Sequence, residues 1–203
     1  MNVKSFAGGR MAVAAGVVLA LGWGVSAQAS TTTPTTDRGV AGGTVTWGSG
    51  GRGTKAAVAT CSPEVLGVSA SKEPADGEDA RHLLLTVQNA GDRKCSLYRY
   101  PLVRLGAGRT TAPVIEESAP DPDKPLTLAP GEEAYAALLV NGPMDEYEAK
   151  SITLTLQGRR PGAVAGGPVD VPMPVPTLYA NDGQRVTYWT TAPGYALDFI
   201  MSR

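Results

Sequence analysis

The sequence predicts an all-β protein, a sandwich of about seven or eight short antiparallel strands, and three observations carry the prediction. From Cys61 onward apolar residues recur with a period of two, the rhythm of a strand with one buried face. Asn89-Ala90-Gly91-Asp92, Pro130-Gly131 and Asn181-Asp182-Gly183 are turn signals that cut the apolar runs into short pieces. The chain holds 25 Gly and 16 Pro against 2 Phe, and β-branched residues dominate its apolar segments, a balance that favours strands and turns over helices.

Taken in order, Leu66, Val68 and Ala70 alternate with small or polar residues and predict a first strand. Leu83, Leu85 and Val87 predict a second, which stops at the Asn89 turn. Pro101 to Leu105 reads as a short third strand and Thr111 to Glu117 as a weaker fourth. After the loop Asp121-Pro122-Asp123-Lys124-Pro125, Leu126-Thr127-Leu128 leads into Pro130-Gly131, where Pro presets φ and Gly accepts a positive one. Glu133 to Asn141 is a strong strand with Ala134, Ala136, Leu138 and Val140 on one face, and Ile152, Leu154 and Leu156 mark another. Val169 to Val175 carries Pro172 and Pro174, which cannot donate to a ladder, so it is an edge strand or a non-sheet segment. Arg185 to Thr190 is the last strand, and Asp145 to Lys150 is the one place where a helical turn is expected.

Ahead of this domain, Lys4 and Arg10 precede an apolar run from Met11 to about Gly24, and Ala27-Gln28-Ala29 supplies the small-x-small pattern of a cleavage site. Residues 1–29 therefore read as a signal peptide, and the mature chain is expected to be secreted, extracellular or cell-wall associated. The run is too short and Gly-rich for a stable span, and no cysteine precedes Cys61, so no membrane anchor is expected after cleavage. Losing Lys4 and Arg10 moves the formal charge from −1 to −3, which argues against a nucleic-acid partner. Residues 30–60, with a Thr/Pro tract and Gly48-Ser49-Gly50-Gly51, read as a disordered tail in which Trp47 is a lone aromatic. Residues 61–203 form the sandwich domain.

Cys61 and Cys95 are the only cysteines, and in an oxidising compartment such a pair most often forms a disulfide, with free thiols or a metal pair as alternatives. Cys61 lies just before the first strand and Cys95 just after the second, which an antiparallel hairpin brings close together. Closing that loop is worth roughly 3–4 kcal/mol by the chain-entropy argument.

The run from Leu83 to Pro101, with Asn89, Gly91, Cys95, Leu97, Tyr100 and Pro101 in order, resembles the secreted actinobacterial domain-of-unknown-function family 4232. Cys61, Leu128-Ala129-Pro130-Gly131 and Val186-Thr187-Tyr188-Trp189 match the same pattern, so the resemblance covers about residues 61–190. It implies an exported, immunoglobulin-like antiparallel β-sandwich and supports the Cys61–Cys95 bridge. Members often carry a lipoprotein anchor cysteine, which this chain lacks, and the family brings no established activity.

Catalytic equipment is sparse. Nucleophilic catalysis needs a base beside the nucleophile, and the single histidine, His82, opens a strand, where a solvated edge residue is the ordinary reading. No Gly-x-Ser-x-Gly elbow, His-Glu-x-x-His or phosphate-cradling Gly loop occurs. The acids Glu116-Glu117, Asp121/Asp123 and Glu132-Glu133 are read as solvated surface rather than a glycosidase pair. Glu117, Asp121 and Asp123 form a weak calcium candidate without an EF-hand pattern. The protein is expected to be no enzyme and to use no cofactor.

The remaining feature is aromatic. Tyr98, Tyr100, Tyr188, Trp189 and Tyr195 are expected to cluster at one end of the sandwich, with either Tyr188 or Trp189 in the core because they take opposite faces of a strand. Aromatics there serve ordinarily as core cover; as a surface they form the candidate platform for an extracellular protein or glycan. The function expected is thus a non-catalytic binding or interaction module. A secreted protease inhibitor presenting the Glu117 to Pro125 loop is the alternative, and a hydrolase ranks last.

Overall fold

A computed structural model describes residues 57–108, 110–122 and 124–203. The expected signal peptide, the tail up to residue 56 and Trp47 lie outside the described residues, as does Asp123 of the calcium candidate.

The alternating patterns become strands that share one core. One sheet is built from β2 (Leu66–Lys72), β3 (His82–Asn89), β6 (Glu133–Leu139) and β11 (Arg185–Val186), in the order β11-β6-β3-β2. A second contains β1 (Ala59–Thr60), β4 (Cys95–Leu105), β8 (Ile152–Gln157) and β9 (Val169–Val171) in that order, with β5 (Leu126–Leu128) also pairing with β4. A separate two-stranded sheet joins β7 (Tyr147–Ala149) to β10 (Leu178–Ala180). The described residues form an all-β sandwich with eleven strands, more than the sequence suggests, because several are only two or three residues long.

Register explains the core. Leu83, Leu85 and Val87 of β3 sit opposite Leu138, Ala136 and Ala134 of β6, and all six are fully buried. On the facing sheet Val103 and Leu105 of β4 pair with Leu154 and Ile152 of β8, again without exposure. Side chains of both sheets pack into one cluster, each large aliphatic contributing about 1.5–3 kcal/mol on burial.

The turns fold as their chemistry dictates. Gly131 takes φ 80°, and its N–H donates to the Asn89 carbonyl at 2.7 Å. Asn89 is itself fully buried, its amide donating to the Arg93 and Leu128 carbonyls. In the Asn181-Asp182-Gly183 turn a Cβ on Gly183 would lie 2.5 Å from the Gly142 nitrogen, so only glycine fits.

Several expectations change, among them the last strand, which ends at Val186 instead of Thr190. Asp145 to Lys150 makes no helical turn: Tyr147–Ala149 is β7, because pairing with β10 buries Ala149 and overrides local preference. Thr111 to Glu117 is no strand but a single parallel bridge, Val114 to Val186, followed by a 3-10 turn at Glu116–Ser118. The expected tail ends earlier than residue 60, since Ala59–Thr60 pairs in parallel with Cys95 and Ser96. A helix absent from the sequence reading, α1 (Pro193–Asp198), packs on the outer face of β6. Ala196 and Ile200 cover Ala137 and Leu139 there, which is why β6 is buried on both faces. Among the described residues no helix is long and apolar enough to cross a membrane.

Cys61 and Cys95 form the disulfide. Cys95 opens β4 of the opposite sheet instead of trailing the β2–β3 hairpin, and the Cys61 N–H donates to the Ser96 carbonyl at 3.0 Å. The bridge therefore ties the chain down where it passes from β1 in one sheet to β2 in the other.

Candidate functional site

The aromatic end of the domain is shaped by an irregularity in β4. Between Tyr98, opposite Gln157, and Leu102, opposite Thr155, three residues of β4 face the single Leu156. Pro101 cannot donate to the ladder, and Arg99 adopts φ 53°, a left-handed conformation uncommon for a residue with a Cβ. Gln157, 7% exposed, holds this bulge, its amide donating to the Tyr100 carbonyl at 2.8 Å. The Arg99 guanidinium reaches back to the β8 end, donating to the Gly158 carbonyl at 2.9 Å, the Arg159 carbonyl at 3.1 Å and the Gln157 side-chain oxygen at 3.5 Å.

Opposite the bulge runs the segment after β11. Thr187 donates its N–H to the Ala137 carbonyl in one sheet, and Trp189 donates its own to the Arg99 carbonyl in the other, both at 3.0 Å. Between them the Tyr188 N–H donates to Ser118 Oγ at 3.0 Å. The chain thus leaves strand geometry and threads between the two sheets, so consecutive side chains are both enclosed. Tyr188 is 8% and Trp189 4% exposed, which corrects the expectation that only one of them is buried. Tyr100 meets Tyr188 edge-on, with ring centroids 5.2 Å apart. The Tyr188 hydroxyl donates to Glu116 at 3.0 Å; burial, then that bond, push its pKa up to about 12. Tyr195 does not join them: it is exposed on α1, edge-on to Phe199.

Two adjoining hollows open at this end. The inner one, about 210 Å³, has a floor of Leu97, Leu126, Tyr188 and Trp189 and a rim that includes Arg99, Lys124 and Asp121. The Trp189 indole N–H is buried without an acceptor among the described residues. The outer hollow, about 490 Å³, is lined by Ser96, Tyr98, Arg99, Lys124, Thr127 and Arg159, together with proline and alanine surfaces. Arg99 and Lys124 belong to both. Of the five predicted aromatics, Tyr98, Tyr188 and Trp189 line these hollows, and Tyr100 supports them from behind. Sequence reasoning missed Arg99, Lys124 and Arg159. Pro101 inside an apolar run was the available signal for a bulge, and so for an unusual residue just before it.

The other candidates stand apart. His82 is no solvated edge residue: β3 is an interior strand, His82 pairs with Leu139, and its Nε2 is buried without a partner among the described residues. Burial, helped by the Arg81 charge, lowers its pKa. It lines neither hollow. The acids serve local bonds: Glu132 accepts from the Ala129 N–H at 2.7 Å, and Glu133 accepts from the Tyr135 hydroxyl at 2.5 Å. Glu117 and Asp121 are exposed, and among the described residues no group of three His, Cys, Asp or Glu is placed to hold a metal ion.

In comparisons with known proteins, the family model described as "Domain of unknown function (DUF4232)" matches residues 61–190. No curated protein matches the chain, and no solved structure does.

Proposed function

The chain belongs to the DUF4232 family of domains of unknown function, and from that premise we propose that it is a non-catalytic binding module working outside the cytoplasm, its ligand seated in the two hollows at the Arg99 bulge. The observation that carries this reading is the convergence, on a disulfide-tied sandwich, of a left-handed arginine, a half-buried tyrosine and a buried indole whose donor meets no acceptor among the described residues. A rigid scaffold that holds loops and aromatics in a fixed hollow suits recognition. Chemistry has less support: the one histidine is remote from the hollows, and Tyr188 is held as a protonated phenol rather than poised as a base. The disulfide is compatible with an oxidising, extracellular setting.

The test is retention of extracellular proteins and envelope glycans on the immobilised domain and on its Tyr98→Ala variant. A partner held by the parent and lost by the variant supports the reading. No partner, or one indifferent to Tyr98, counts against it.

The inhibitor reading draws on one observation. Ser118 Oγ donates to the Ile115 carbonyl at 2.6 Å and accepts the Tyr188 N–H, which fixes the root of the 117–125 loop. An inhibitor blocks turnover by extracellular proteases in a direct assay, whereas a plain binding module leaves it unchanged.

A further inference from the structure

We propose that the outer hollow recognises an acidic oligosaccharide, a sugar chain bearing carboxylate or phosphate groups, with Arg99 as its anchor. The inference rests on the binding-module reading and names its ligand class.

Charge is the first support. Arg99, Lys124 and Arg159 line one hollow, and no carboxylate joins them among its described lining residues. The three oxygens that hold the Arg99 guanidinium, two carbonyls and an amide, are all neutral, so they fix its direction without pairing its charge. Among the described residues Asp121, which belongs to the inner hollow, forms no salt bridge with it. A guanidinium held in place has little rotamer freedom left to lose, and its planar fork matches a carboxylate or phosphate. Three like charges facing a shared space repel one another, and an anion relieves that repulsion.

The choice of a sugar over a peptide comes from the backbone. Ser96, in the wall of the hollow, sits in a stretch of β4 that pairs with Thr60 of β1 and with Thr127 of β5. Both edges of β4 are taken there, and the strands that take them, β1 (Ala59–Thr60) and β5 (Leu126–Leu128), are only two and three residues long, so an extended peptide cannot add to β4 and finds little ladder beside it. Recognition falls to side chains: the half-buried Tyr98 ring, the Ser96 and Thr127 hydroxyls 3.1 Å apart, and the three cations. An aromatic face, hydroxyls and fixed charges suit a hydroxylated ring that carries an acid group.

Calorimetric titration of the whole chain with oligogalacturonate and with phosphomannan oligomers tests this, beside neutral maltooligosaccharides and oligoglutamate of matched length. Expected is binding of an acidic sugar that weakens as salt rises and falls about tenfold or more in Lys124→Glu and in Arg159→Glu, with Lys150→Glu as the remote control. Both test residues are exposed, so these variants keep the test sound if Arg99→Ala fails to fold. Neutral sugars binding equally well, oligoglutamate binding as tightly, or indifference to both charge reversals would overturn the proposal. In those cases a ligand still lost with Tyr98→Ala leaves the binding-module reading standing; the absence of any ligand of any class ends both.

Discussion

The Trp189 backbone N–H donates to the Arg99 carbonyl oxygen at 3.0 Å, joining the segment that closes the domain to the bulge that interrupts β4. Each residue is unusual by itself: Arg99 carries φ 53°, and Trp189 buries an indole donor with no acceptor among the described residues. The bond makes them mutually dependent, since straightening the bulge would move the acceptor away from Trp189. Strain and an unsatisfied donor side by side mark a site that stability alone does not explain.

Trp189 separates packing from polarity. Trp189→Ala should cost about 3–5 kcal/mol, because a nearly buried ring is replaced by a void. Trp189→Phe should cost clearly less, since it also removes a buried donor whose desolvation penalty is about 1–3 kcal/mol. Urea denaturation of both variants measures the difference.

Backbone strain at Arg99 is read by two truncations. Both Arg99→Gly and Arg99→Ala lose the bonds to Gly158 and Arg159, but only glycine accepts φ 53° freely. The glycine variant should be the more stable by about 1 kcal/mol in the same denaturation experiment. Equal stabilities would show that the left-handed conformation relaxes once the guanidinium is gone.

The Cys61–Cys95 bridge closes a sequence separation of 34 residues. Replacing both cysteines with alanine should lower stability by about 2–5 kcal/mol. Thermal unfolding with and without reductant, alongside intact mass, checks it, and the double variant should no longer respond to reductant.

His82 supplies a pH signature. Its folded pKa is lowered, so the unfolded chain takes up the proton first as pH falls. Stability from this residue is therefore fully present above the ordinary histidine value and declines as pH drops through that value toward the lowered one. The chain has only one histidine, so His82→Gln should remove this step from a stability profile between about pH 7 and pH 5. A step unchanged in the variant would assign it to other groups.

The packing of α1 and of the turn that follows it is tested at Ile200, two residues past the helix end and fully buried with Ala137 and Leu139. Ile200→Ala should cost about 2–5 kcal/mol. Tyr195→Ala, on the exposed side of α1 itself, should cost far less, and thermal melts of the pair decide the matter.

The inner faces of the sandwich were legible in the sequence wherever apolar residues recur at every second position. Leu66, Val68 and Ala70 alternate in β2 as the pattern requires, and Ala134, Ala136 and Leu138 occupy the inner face of β6. Legibility failed where a second layer or a distant partner decides. Leu84 and Ala137 point away from the main core yet are buried, and β7 exists only because β10 lies beside it. The last predicted strand ended early for a related reason: Thr187 and Trp189 bond to opposite sheets, an outcome no period of two encodes. At the candidate site the aromatics were found by residue type, whereas the cations were missed because Arg99, Lys124 and Arg159 lie far apart along the chain and meet only through the bulge and two loops.

The helix that caps β6 also sets an order of events. Ala196 and Ile200 are synthesised after every strand, so the oily outer patch of Ala137 and Leu139 stays naked while most of the polypeptide has already emerged. Until that late stretch arrives, the nascent sheet offers a sticky surface to its neighbours, and a holding chaperone would find its foothold there.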